Sequence, residues 1–256
     1  MNRRTFVKIG LSLPVLSLAP VRVLAASEDQ GHRAYRPGER ISPEVFVQDK
    51  SLNAQKILAL CQEGGAPVNV LYIYGGGAYK RKSKLGELWC RDSFEDLYVL
   101  RYLHEKYESR KVRLIPVACP PVYASRYYGF KPRVFLDEPD DSPTFQQAAK
   151  DFIASTEKAV ARRYVPVETY YDLRYRLLFN RRRDLKPGPG YGPVYSWQGK
   201  FRSDRETQKY GTPTIWLLDA RGTILRPPFH GNLYHAEPFH IEYTVLDLDR
   251  AVQQYL

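Results

Sequence analysis

Two rhythms of apolar and polar positions run along this chain. Val68-Asn69-Val70-Leu71-Tyr72-Ile73-Tyr74 is rich in β-branched and aromatic residues and stops at Gly75-Gly76-Gly77, the pattern of a buried strand. Val112 to Ala118 repeats that pattern and ends at Cys119-Pro120-Pro121. Between them, Phe94, Leu97, Leu100 and Leu103 fall three apart, which predicts an amphipathic helix from about Ser93 to Tyr107. Strand, helix and strand in this order predict a βαβ unit with parallel strands and a right-handed crossover.

The flanking segments predict further elements. Leu52 to Gln62 has a helical pattern closed by Gly64-Gly65. Ser142-Pro143 supplies an N-cap and a first-turn proline for a second helix, with Phe145, Ala149, Phe152, Thr156 and Val160 on its apolar face. Val165 to Tyr171 reads as a third strand and Asp172 to Asn180 as a helix. Thr214 to Leu218, a turn at Asp219-Ala220-Arg221-Gly222, and Thr223 to Leu225 make a hairpin, and a helix near Asp247 to Tyr255 closes the chain. The class is α/β, a central mixed sheet with helices on both faces. Residues 27–50, polar and bearing Pro37 and Gly38, read as an extended arm leading into one domain over 51–256.

Residues 1–26 have a different character. Arg3, Arg4 and Lys8 precede an apolar run from Ile9 to Pro20, and Val23-Leu24-Ala25-Ala26 offers small residues for cleavage, the composition of an export signal. Asn2-Arg3-Arg4-Thr5-Phe6-Val7-Lys8 resembles the twin-arginine consensus through its Arg-Arg-x-Phe-x-Lys core, and Arg22 near the cut suits that route. The expected location is periplasmic; the alternative is an N-terminus that stays uncut in the membrane. The whole chain of 256 residues carries a net charge of +11, and loss of segment 1–26 with its four basic residues lowers it to +7. Part of the basic character therefore belongs to targeting, and nucleic acid is not an expected partner. Three cysteines exclude a disulfide-dense scaffold.

Trp89-Cys90-Arg91-Asp92-Ser93 sets one of those cysteines where the predicted helix opens. A thiol there faces unpaired backbone N–H groups and the positive end of the helix dipole, which favours thiolate. Lys80, Arg81, Lys82, Lys84 and Arg91 would add to this if they fold near the sulfur, and Trp89 would shield one side of it. Downstream, Lys209-Tyr210-Gly211-Thr212-Pro213-Thr214 enters the strand and Asp-x-x-Gly turn of the hairpin. This order of parts resembles the thioredoxin superfamily, in its TlpA-like and redoxin branch, over about Leu52 to Leu256. The resemblance implies a thioredoxin-like fold, with a helix and strand inserted between Pro120 and Tyr171. It also implies a cis Pro213 packed near Cys90 and a backbone at Thr212 open to an extended peptide. The implied activity is thiol–disulfide exchange on periplasmic protein or small thiol substrates. Cys90 is the nucleophile, Trp89, Arg91, Thr212 and Pro213 form the substrate side, and no cofactor or metal is required.

The departures matter as much. The family's reductase motif has a second cysteine where this chain has Ser93, so a mixed disulfide at Cys90 lacks its usual resolving partner. That substitution leaves open a binding module that keeps the surface and has lost turnover. Peroxiredoxins, a weaker resemblance, place a threonine three residues before the reactive cysteine, where this chain has Glu87. Cys119 ends the second strand of the βαβ unit at the same sheet edge as Cys90; it is either a resolving thiol or a small strand-end residue. Cys61 reads as core.

Other features weigh less. Gly75-Gly76-Gly77 lacks the ending of a phosphate loop and lets the chain turn away from its strand. His230, His235 and His240 read as surface loop, and Arg174, Arg176 and Arg181 to Arg183 as a solvated face. Most of the 20 tyrosines read as packing residues with a hydroxyl at the surface. The Pro/Gly stretch 186–193 suits a lid or a partner contact.

Overall fold

Strand β3 (Val68–Gly75) is the axis of the molecule, and every one of its eight residues is buried. A strand covered on both faces needs a nearly continuous apolar run, which is what its sequence supplies. The structure, a computed structural model, describes residues 35–77, 88, 90–120, 134–163, 165–174, 177, 212–230 and 243–256. All of these belong to one compact unit spanning residues 31–256. The predicted export segment and the 186–193 stretch lie outside the described residues.

On one side β3 pairs in parallel with β4 (Val112–Cys119), in register from Val68 opposite Val112 to Gly75 opposite Cys119. Helices α2 (Arg91–Asp96) and α3 (Tyr98–Lys106) make the crossover between them. On its other side β3 pairs antiparallel with β6 (Thr214–Leu218), from Asn69 opposite Leu218 to Ile73 opposite Thr214. With β1 (Phe46–Gln48), β2 (Ala54–Lys56), β5 (Tyr170–Tyr171) and β7 (Phe229–His230), the described sheet runs β2-β1-β5-β4-β3-β6-β7. It is mixed, as expected.

The remaining helices are α1 (Ile57–Gln62), α4 (Val134–Asp137), α5 (Pro143–Ala161) and α6 (Val245–Gln253). Ser142 accepts the Phe145 N–H at 3.1 Å and caps α5, with Pro143 in the first turn. Thr244 and Asp247 form a reciprocal capping box at α6, which starts two residues before the predicted helix.

Elsewhere the elements differ from the pattern reading for identifiable reasons. Residues 54–56 form an edge strand instead of helix because Asp49 organises a tight turn: its carboxylate accepts from the N–H of Ser51 and Asn53 and from the side chain of Gln55. Part of segment 27–50 is built into the domain. Arg40 bridges Thr223, Val45 and Val47 are fully buried, and β1 joins the sheet. The single helix expected to Tyr107 is divided at Leu97, where Leu100 N–H bonds Leu97 C=O in a tighter turn. The third strand shrinks to Tyr170–Tyr171, and residues 173, 174 and 177 are in turns. The hairpin returns only as a bridge from Leu218 to Ile224.

Three polar expectations change as well. Tyr72, Tyr74, Tyr171 and Tyr243 are fully buried, each with a hydrogen-bonded hydroxyl. Arg174 is no solvated cation: it bonds the carbonyls of Phe135 and Glu138, pairs with Asp140 and stacks on Phe145. His230 is buried in β7, while His235 and His240 lie outside the described residues.

Gly76 has a packing requirement. A Cβ there would lie 2.7 Å from Ala118 Cβ and 3.0 Å from the Phe152 ring and the Thr156 hydroxyl. Gly76→Ala is therefore expected to lower unfolding free energy by about 1–3 kcal/mol in urea titration, the usual cost of overpacking a filled site.

Candidate active site at Cys90

Cys90 is the N-cap of α2, with extended backbone (φ −96°, ψ 106°), and its carbonyl accepts the first helical bond from Phe94 N–H at 3.1 Å. Its side chain is partly exposed. The sulfur meets one residue twice. The thiol donates to Thr212 C=O at 3.3 Å, and the Thr212 hydroxyl reaches the sulfur at 3.3 Å. Thr212–Pro213 is a cis peptide bond, as the resemblance implied. The register explains this meeting of residues so distant in sequence. Because β6 runs antiparallel to β3 with Thr214 opposite Ile73, the segment entering β6 arrives at the β3 end from which the chain proceeds to α2. Thr212 serves both protonation states: its carbonyl accepts from the thiol, and its hydroxyl can donate to a thiolate.

Ser93, one turn into α2, is fully buried, and its hydroxyl oxygen accepts the Gly75 N–H at 3.0 Å. It ties the start of α2 to the last residue of β3. Next to it Gly77 N–H donates to the Thr156 hydroxyl at 2.8 Å, fastening the strand end to α5. The glycine run thus turns the chain off the strand, as read from sequence.

A buried acid ends α2. Asp96 Oδ2 accepts from the Tyr72 hydroxyl at 2.9 Å and from the Tyr243 hydroxyl. Burial, then the negative charge of Asp96, pushes both hydroxyls well above the usual tyrosine range. A charge on Cys90 acts on Tyr72 in the same direction. Nothing in the sequence pairs Tyr243 with Asp96, since 147 positions separate them. The one available signal was an acid set immediately before Leu97 on the apolar stripe.

The other two cysteines sit apart from water. Cys119 is fully buried, its sulfur 4.0 Å from Asp172 Oδ2, and burial followed by that carboxylate holds its thiol well above the ordinary range. Asp172 Oδ2 also accepts Leu177 N–H at 2.7 Å. Cys61 is core, as expected, and burial pushes its thiol up to about 12. All three cysteines are thiols. Trp89, Glu87, the basic loop 79–84 and the side chain of Arg91 lie outside the described residues.

No family model and no curated protein matches this chain. Solved structures similar to it include a thioredoxin-like superfamily protein, at 12% identity over 86% of this chain and 96% of that one, with a TM-score of 0.41. Peroxidoxin BcpB from Mycobacterium tuberculosis has 11% identity over 86% of this chain and 96% of its own, with a TM-score of 0.43. StoA from Bacillus subtilis has 12% identity over 82% of this chain and 97% of its own, with a TM-score of 0.38. The fold is thioredoxin-like by its own topology: a parallel β3–β4 pair, a crossover helix opening at Cys90, and an antiparallel strand entered through a cis proline.

Two outcomes are expected at this site. Iodoacetamide at pH 8 should modify Cys90 in the native protein and spare Cys61 and Cys119, with peptide mapping as the readout, because both spared thiols are buried and held protonated. Thr212→Val removes a hydroxyl that hydrogen-bonds the Cys90 sulfur. It should raise the midpoint of the Cys90 alkylation rate against pH by about one unit, while Thr212→Ser keeps the original profile.

Proposed function

We propose that this chain is an exported thiol–disulfide oxidoreductase that works through Cys90 on periplasmic protein or small-molecule disulfides. The observation that carries this reading is the meeting of a partly exposed thiol at a helix N-cap with Thr212 beside cis Pro213. A helix start favours thiolate through its unpaired N–H groups, and the Thr212 hydroxyl adds a donor to the same sulfur. The thiolate attacks one sulfur of a substrate disulfide in line with the S–S bond. A Cys90–substrate disulfide forms and the other substrate sulfur leaves as a thiolate. Thr212 meets the attacking atom and cis Pro213 follows it, so an extended substrate segment lies along them; Trp89 and Arg91, the sequence neighbours of Cys90, complete the proposed substrate side. The twin-arginine-like start and apolar run of residues 1–26 support export. Among the described residues no helix is long and apolar enough to cross a membrane.

Ser93 favours a second reading, a binding module, because the position of the usual second cysteine is a buried anchor for Gly75. Turnover separates the two readings. Cys90→Ser is expected to reduce reduction of a fluorescent disulfide peptide by dithiothreitol to the uncatalysed rate, with Cys61→Ser unchanged. If Cys90→Ser retains full turnover, the oxidoreductase reading is wrong. If the intact protein shows no turnover but still binds the peptide, the binding module takes its place.

A further inference from the structure

Resting on Cys90 as the nucleophile, we infer that its mixed disulfide is resolved in trans, by a low-molecular-weight thiol, and not by any group of this chain. Three observations, one at each other position able to attack, carry the inference. Ser93, at the resolving position, has an oxygen in place of sulfur, and that oxygen is sealed in the core by the Gly75 N–H. An alkoxide is no partner for disulfide exchange in any case. Cys61 is fully buried in α1, on the far side of β3 in sequence from the crossover.

Cys119 needs the sheet register. It stands opposite Gly75 on the β4 side of β3, whereas Thr214, two residues after Thr212, stands opposite Ile73 on the β6 side. The Cys90 sulfur hydrogen-bonds Thr212, at the entry to β6 on one side of β3, whereas Cys119 ends β4 on the other side. Cys119 is also turned to a carboxylate, Asp172, which opposes the thiolate that resolution requires. All three cysteines of the sequence are described, so no further cysteine of this chain remains to be placed. Cys90, in contrast, is partly exposed, within reach of a small molecule.

The reaction then balances with two equivalents of exogenous thiol. Cys90 S⁻ attacks the substrate disulfide and expels one substrate thiolate. A first exogenous thiolate attacks the Cys90 sulfur and expels the second substrate thiolate, leaving the small thiol on Cys90. A second exogenous thiolate attacks the sulfur of the bound small thiol and expels Cys90 S⁻. Overall the substrate disulfide is reduced to two thiols and two small thiols are oxidised to their disulfide. The protein therefore sits downstream of a reaction that reduces small disulfides.

The test loads the full-length protein with bis(2-hydroxyethyl) disulfide, removes excess reagent, and follows the Cys90 adduct by intact mass and peptide mapping. The adduct is expected to persist in buffer, to be cleared at least about tenfold faster by millimolar 2-mercaptoethanol, and to have the same lifetime in Cys119→Ser. Spontaneous loss of the adduct with a Cys90–Cys119 disulfide in its place overturns the inference and leaves the oxidoreductase reading standing. So does an adduct that 2-mercaptoethanol leaves in place and a dithiol protein clears. Absence of any adduct at Cys90, with the protein folded by circular dichroism, overturns that reading and this inference with it.

Discussion

The antiparallel pairing of β6 with β3 is the constraint on which the site depends. Cys90 and Thr212 are 122 positions apart, and no local propensity brings them together. The β3–β6 register does so, because it sets the entry to β6 at the end of β3 from which the crossover to α2 departs. That register is strongly specified. All residues of both strands are buried, and a one-residue slip would turn every side chain of β6 to the opposite face of the sheet. The Asn69 side-chain amide, donating to Asp219 C=O at 3.2 Å, marks the other end of the same pairing.

Polar groups fasten the helices to this frame, and each sits where an unpaired partner would be costly. Ser93 holds α2 to Gly75, Thr156 holds α5 to Gly77, and Asp96 gathers Tyr72 of β3 and Tyr243 at the approach to α6. At the outer end of the crossover, Asp249 of α6 accepts from Tyr107 and pairs with Lys106. The C-terminal helix is thus tied through carboxylates to both halves of the crossover helix. The Cys90 sulfur thus sits between anchored segments, and the hydroxyl three residues after it serves as a structural anchor.

Much of the fold was legible in the chain. Val68 to Tyr74 and Val112 to Ala118 are buried strands because their composition permits little else, and α5 announces itself by Ser142-Pro143 and a five-residue apolar face. The cis proline and the loop that meets Cys90 were implied only by the resemblance of Gly-Thr-Pro-Thr before an apolar strand to the thioredoxin superfamily. The short elements were not legible. β1, β2 and β5 have two or three residues each, too few for a period, and they exist because longer neighbours offer edges to pair with. Asp49 shows how this happens: one carboxylate gathering four donors from Ser51, Asn53 and Gln55 outweighed a helical pattern over residues 52–56.

Local order and residue chemistry, by themselves, determined the α/β class, the βαβ unit, the cysteine at a helix start and the threonine–proline entry to β6. These follow from period, caps and backbone preference, all of which act over a few residues. Tertiary structure alone decided the rest: that Thr212 offers both a carbonyl and a hydroxyl to Cys90, that Ser93 faces Gly75, that Asp96 is shared by two tyrosines, and that Cys119 is turned to Asp172. Such contacts depend on register and on the direction of single hydrogen bonds between distant segments, and apolar periodicity carries no information about either.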